Sequence, residues 1–215
     1  MAEGPALRVA VCVPSGDMVH MDFAVSLARM LSDMTQRRIP SVLVNEKSAI
    51  LPQGRQKLVN RALEFEATHL LFLDSDMTFP PETAARLLSH GRDIVGIAAS
   101  TRLEGRQRVT AMVRWGERLT LGPDDGLVEA DYVGCAGMLV KADIFRRMDK
   151  PYFPARFIEE RDGRDIWMGE DYGFCDKARE LGFTVLVDAK LSYAFGHLGQ
   201  KNFTLRQMTG KRTGE

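Results

Sequence analysis

His69-Leu70-Leu71-Phe72-Leu73-Asp74-Ser75-Asp76 decides the fold. Five residues, four of them apolar, are too short for a helix and end in two acids, which predicts a buried strand closed by a polar turn. The same rhythm continues on both sides. Upstream, Gln53-Gly54 opens a helix with Leu58, Ala62 and Phe65 on one face. Before it, Ser41-Val42-Leu43-Val44 reads as a strand ending at Asn45-Glu46. A helix from Val19 to Met34 carries Phe23, Leu27, Met30, Leu31 and Met34 at helical spacing. The first strand, Leu7 to Val13, stops at Pro14-Ser15-Gly16. Downstream, Pro80-Pro81 starts a helix with Ala84, Leu87 and Leu88, and Asp93 to Ala99 is a fourth strand. The order βαβαβαβ predicts an α/β chain with a mostly parallel, doubly wound sheet. Ligands of such sheets lie beyond the carboxyl ends of the strands, where Pro14, Ser15, Asn45, Glu46, Asp74, Ser75 and Asp76 stand.

After Ser100 the rhythm changes. Arg106 to Trp115 and Tyr132 to Val140 read as strands around a turn at Gly122 to Gly126. A short helix from Ala142 to Met148 follows, then a loop from Lys150 to Arg164. Asp171 to Leu181 is a helix, and Phe183 to Asp188 a last buried strand. The expected organisation is a single domain over 1–203, with a nucleotide-binding half (7–99), an acceptor and catalytic half (100–203), and a basic, flexible tail (204–215).

Composition narrows the class without choosing a partner. The chain has 215 residues with 29 basic and 29 acidic side chains, so bulk charge does not recruit a polyanion. At 45% hydrophobic and 27% charged residues it is ordinary for a globular protein. No apolar run approaches membrane-spanning length, and no signal layout precedes Arg8. Cys12, Cys135 and Cys175 are an odd number at unrelated spacings, which fits buried thiols in a reducing, cytoplasmic setting.

Three constellations carry chemistry. In Asp74-Ser75-Asp76, strand alternation aims both carboxylates to one side, where they could hold one hard cation. The structural alternative is a solvated strand end. In Trp167-Met168-Gly169-Glu170-Asp171-Tyr172-Gly173-Phe174, two acids sit at a helix start, where one would serve as a cap. Flanking aromatics would also desolvate a carboxylate and tune it as a general base. His197, between Gly196 and Leu198-Gly199, could add a borderline ligand suited to Mn²⁺ or Mg²⁺. Arg55 could face a phosphate or base, and Gly137 could admit a ligand close to the backbone. Each also has an ordinary reading, as a solvated cation and as a packing glycine.

Taken in order, these pieces resemble the GT-A fold nucleotide-sugar glycosyltransferases, most of all the short bacterial and phage members related to the large inverting family. The matching segments are Val11 to Ser15, Arg55 before a helix, Leu71 to Met77, Gly134 to Val140, Gly169 to Phe174, and His197-Leu198-Gly199. The resemblance implies a Rossmann-like GT-A fold with a small antiparallel acceptor-side region. It implies a divalent ion, Mn²⁺ or Mg²⁺, held by Asp76 and His197, with Asp74 acting more through ribose or water. Pro14, Ser15, Asn45, Glu46, Arg55, Ser75 and Gly137 would line the nucleotide-sugar, with UDP as the base-rate choice. Asp171, beside Glu170, would deprotonate the acceptor hydroxyl in an inverting hexosyl transfer, and retaining relatives carry similar metal motifs.

Two other classes compete. Asp74-Ser75-Asp76-Met77-Thr78 also fits the start of a haloacid-dehalogenase-type phosphatase, with Asp74 as nucleophile. That motif belongs on a first strand, and here it follows two. A non-catalytic nucleotide-sugar-binding module would not need the full set of acids and His. The acceptor is left open between saccharide, lipid and modified DNA. The segment Arg102 to Arg118 carries net +3 and so does Lys201 to Glu215, which would suit a phosphate-bearing acceptor if both lined one rim.

Overall fold

The computed structural model describes residues 6–102, 107–199 and 204–205. The elements run β1 (Val9–Ser15), α1 (Met21–Gln36), β2 (Ser41–Lys47), α2 (Leu51–Glu64), β3 (His69–Leu73), β4 (Met77–Thr78), α3 (Thr83–Ser89) and β5 (Ile94–Gly96). The second half adds β6 (Met112–Arg114), β7 (Glu117–Arg118), β8 (Leu127–Ala130), β9 (Gly137–Lys141), α4 (Ala142–Arg147), β10 (Arg156–Arg161) and β11 (Arg164–Met168). It closes with α5 (Glu170–Glu180), β12 (Val185–Asp188), α6 (Ala189–Ser192) and β13 (Gly196–His197).

One seven-stranded sheet, in the order β2-β1-β3-β9-β5-β12-β8, forms the centre. β1 pairs in parallel with β2 and β3, and β12 in parallel with β5. β9 is inserted antiparallel between β3 and β5, and β8 is antiparallel at the far edge. The βαβαβαβ pattern therefore gives the expected mostly parallel sheet. Its fourth strand, however, does not pair with β3: the antiparallel β9, from the second half, takes that place.

Alternation along the buried strands splits the core into two layers. Ala10, Cys12, Leu70 and Phe72 face α2, α4 and α5, where Phe72, Phe145, Phe153 and Phe174 pack ring on ring. Val9, Val11, Val13, Leu71 and Leu73 face the other way, toward Phe23 and Met30 of α1 and Leu87 of α3. With both faces covered, the carboxyl edge of the parallel strands remains for a ligand.

Three expectations need correction. The Lys150 to Arg164 loop ends in a hairpin, β10 with β11, turned by Asp162 (φ 54°) and Gly163 (φ 69°). The strand expected over Tyr132 to Val140 begins only at Gly137, and β8 was hidden behind the Gly122 to Gly126 turn. Of the strand expected from Arg106 to Trp115, only Met112–Arg114 is formed. Arg106 lies outside the described residues, as do 206–215, most of the expected tail.

Candidate active site

The cleft at the carboxyl edge of β1 and β3 has a volume of about 430 Å³. It is lined by Pro14 and Ser15 from the end of β1, by Asp74, Ser75 and Asp76 after β3, and by Arg102 and His197. The chain reaches His197 because β13 pairs antiparallel with β4, which sets His197 opposite Met77. The Leu198 backbone N–H then donates to the Asp76 carbonyl at 2.7 Å. Sequence spacing gives no hint of this two-residue pairing, in which His197 stands 120 positions after Met77; only the flanking glycines signal a tight approach.

The two carboxylates of Asp74-Ser75-Asp76 are held by different partners. Asp74 Oδ1 accepts from Arg55 Nη2 at 3.0 Å. Asp76 Oδ2 lies 3.3 Å from His197 Nε2 and 3.1 Å from Arg102 Nη1. Burial alone would raise the Asp76 carboxyl, but the His197 hydrogen bond and the charges of His197 and Arg102 outweigh it and hold it below the ordinary value. For His197, burial acts downward, and the bonds to Asp76 and the Ser100 carbonyl turn the shift upward. His197 Nδ1 lies 2.8 Å from that carbonyl, so Nδ1–H donates and Nε2 faces Asp76. This contact to a backbone carbonyl fixes the ring in the way that metal-ligating histidines are commonly fixed.

An oxygen and a nitrogen 3.3 Å apart suit two neighbouring ligands of one octahedral cation with bonds of about 2.1 Å, whose adjacent ligands stand about 3 Å apart. Asp76 and His197 therefore fit a divalent ion. Among the described residues no group of three or more His, Cys, Asp or Glu side chains is placed to hold a metal.

Arg55 does not line the cleft. It is 2% exposed and lies beneath it, with Nε donating to Glu170 Oε1 at 3.2 Å and Nη2 to Asp74. Its Nη1 has no hydrogen-bond partner among the described residues. The guanidinium thus clamps the end of β3 to the start of α5. Next to it, burial above all, then the charge of Glu170, pushes the Asp171 carboxyl up to about 7, with Arg55 pulling the other way. Asp171 Oδ1 accepts from the Tyr172 N–H at 2.8 Å. A side chain at Gly134 would meet Asp171 Oδ2 at 3.2 Å, and one at Gly169 would meet Oδ1 at 2.9 Å. These two glycines make the slot for that carboxylate.

The other expected residues are spread. Asn45 Nδ2 donates to the Val13 carbonyl and to Ser15 Oγ, and so supports the β1 end from beside it. Glu46 points to the opposite side of the sheet and pairs with Lys57 and Arg61 on α2. Gly137 is buried in β9, where a Cβ would meet the Phe195 ring at 2.7 Å, so its lack of a side chain serves packing. Arg102 was legible only as the first residue of a basic segment.

No family model matches the chain, and no curated protein sequence matches it. Solved structures do. A197 from STIV superposes with a TM-score of 0.57 at 16% identity, over 90% of this chain and 86% of that one. The catalytic domain of Drosophila β1,4-galactosyltransferase 7, in complex with xylobiose, gives 0.54 at 14% identity over 98% and 82%. A mutant of that enzyme in complex with manganese, UDP-Gal and xylobiose gives the same values. The chain has a GT-A-like, glycosyltransferase-type fold.

Proposed function

We propose that the protein is a metal-dependent glycosyltransferase that moves a hexose from a nucleoside-diphosphate sugar, UDP-sugar first, to an acceptor hydroxyl. The observation that carries this reading is the Arg55 clamp. One buried cation joins Asp74, on the donor cleft, to Glu170, beside Asp171, whose carboxyl is raised to about 7. The clamp links Asp74, at the strand edge where such a sheet binds ligands, to the first turn of α5, which carries Glu170 and Asp171.

Asp76 and His197 would hold Mn²⁺ or Mg²⁺, which when bound neutralises charge on the departing diphosphate. Pro14, Ser15 and Ser75 would line the donor, with Asp74 directed at ribose or water. Asp171, once ionised above about pH 7, takes the acceptor proton. The acceptor oxygen attacks the anomeric carbon, the bond from that carbon to the diphosphate oxygen breaks, and the configuration inverts. Glu170 and Arg55 fix the position of this base. That the galactosyltransferase 7 domain is seen with xylobiose supports a saccharide acceptor over lipid or modified DNA. Against the phosphatase alternative, Asp74 follows the third strand of the sheet and is bound by Arg55.

The test is a split between two variants. Asp76→Ala should lose metal-dependent binding of a nucleoside diphosphate, measured by calorimetry. Asp171→Asn should bind it as the wild type does, yet lose transfer by 10²-fold or more, in the range of a missing general base. Transfer at near wild-type rate in Asp171→Asn would reduce Asp171 to a helix-start acid.

A further inference from the structure

Arg102 stands half exposed at the edge of the cleft and reaches inward. It and His197 converge on one atom, Asp76 Oδ2, at 3.1 and 3.3 Å. That oxygen is the one a divalent ion shared by Asp76 and His197 would use. A guanidinium and a divalent cation repel, and both cannot occupy the same face of one carboxylate oxygen. The three partners differ in freedom. The Asp76 side chain is 26% exposed and His197 18%, and the His197 ring is also held by the Ser100 carbonyl, while Arg102 is 50% exposed. Arg102 is therefore the member that can leave. Its other hydrogen bond among the described residues runs from the same Nη1 to the Leu198 carbonyl at 3.3 Å and is part-buried.

Its chemistry says where it would go. A guanidinium presents a planar fork of donors matched to phosphate oxygens. Arg102 lines the same cleft as Ser15, Asp74 and Ser75. Once a diphosphate enters, it offers the guanidinium a more highly charged partner than Asp76.

We infer that Arg102 is an exchangeable counter-ion: it neutralises Asp76 in the free protein and shifts onto the diphosphate when cation and donor bind. This rests on the glycosyltransferase reading above and adds a donor-binding residue and an order to it. Because the ion pair blocks the cation position, cation and nucleotide assist each other's binding through Arg102. Such coupling is reciprocal by thermodynamic necessity.

The experiment measures Mn²⁺ binding and UDP binding (GDP as a second probe), separately and together, by calorimetry and by the electron paramagnetic resonance of free Mn²⁺. In the wild type, UDP should tighten Mn²⁺ binding at least tenfold. Arg102→Ala should bind Mn²⁺ alone at least threefold more tightly than wild type and UDP alone at least fivefold more weakly. The help that UDP gives Mn²⁺ should shrink accordingly. Arg102→Gln, of similar bulk, is measured beside it, with circular dichroism to confirm the fold. Unchanged or weaker Mn²⁺ binding in both variants, with UDP binding intact, overturns the exchange and leaves the enzyme reading standing. A wild-type protein that binds Mn²⁺ but neither UDP nor GDP overturns the enzyme reading and the inference with it.

Discussion

Asp171 and Arg55 are tied to each other by opposite needs. A carboxyl raised to about 7 binds a proton in the folded protein that the unfolded chain releases near its ordinary value of 3.8. Folding stability therefore falls as pH rises through that window and stays low above it. Asp171→Asn should remove this cost. At pH 8 it should raise unfolding stability by about 1 kcal/mol or more, against a ceiling of about 4 kcal/mol for three pKa units. Urea unfolding at pH 4 and pH 8 checks this, with the gain expected at pH 8 alone. Transfer by the wild type should rise with pH through about 7, as Asp171 loses its proton. Arg55→Ala should act in the opposite direction. It strips Asp74 and Glu170 of a buried cation and should cost about 3–5 kcal/mol, the range for breaking a buried pair from one side. Acidic residues at the ends of strands and helices were legible in the sequence because their types announce chemistry. What each touches was not. Arg55 reads as a phosphate ligand from its place at a helix start, yet the turn that begins α2 sends it under the cleft floor. Glu46 follows Asn45 directly, and strand alternation puts the two on opposite faces of β2.

At the scale of elements, the parallel half was legible because its strands are continuous apolar runs and its helices have clear periods. The second half was harder for physical reasons. β10 and β11 are solvent-facing and rich in charge, so hydrophobicity does not mark them. The signal that could have found them is Asp162-Gly163, the two-residue turn whose positive φ at both positions matches the twist of a hairpin. β9 carries the same kind of apolar run as β3, and nothing in such a run tells parallel from antiparallel. α5 shows how tightly this edge of the molecule is packed. A Cβ on Gly173 would come within 1.9 Å of the Pro154 carbonyl oxygen, a backbone atom that cannot swing aside. Gly173→Ala should therefore cost more than about 2 kcal/mol in urea unfolding, although alanine is the better helix former. It should also lower transfer, because α5 carries Glu170 and Asp171 at its first turn.

For the whole molecule, a net charge of zero conceals a sorted arrangement. Asp74, Asp76, Glu170 and Asp171 gather at one sheet edge, where Arg55, Arg102 and His197 balance them. Cys12, Cys135 and Cys175 are all free and buried, and burial pushes each thiol up, Cys175 to about 12. A thiol reagent should label essentially none of them in the native protein and all three in denaturant, since only thiolates react. No described helix is long and apolar enough to cross a membrane. The superposition on galactosyltransferase 7 covers 98% of the chain, so the GT-A-like fold extends over nearly its whole length. The most direct measurement is turnover of a panel of nucleotide-sugars with Mn²⁺ or Mg²⁺, followed by the release of nucleoside diphosphate. Release that requires the ion, stops with a chelator and is lost in Asp76→Ala is the expected result. Hydrolysis of phosphate monoesters with no cleavage of any nucleotide-sugar would contradict it.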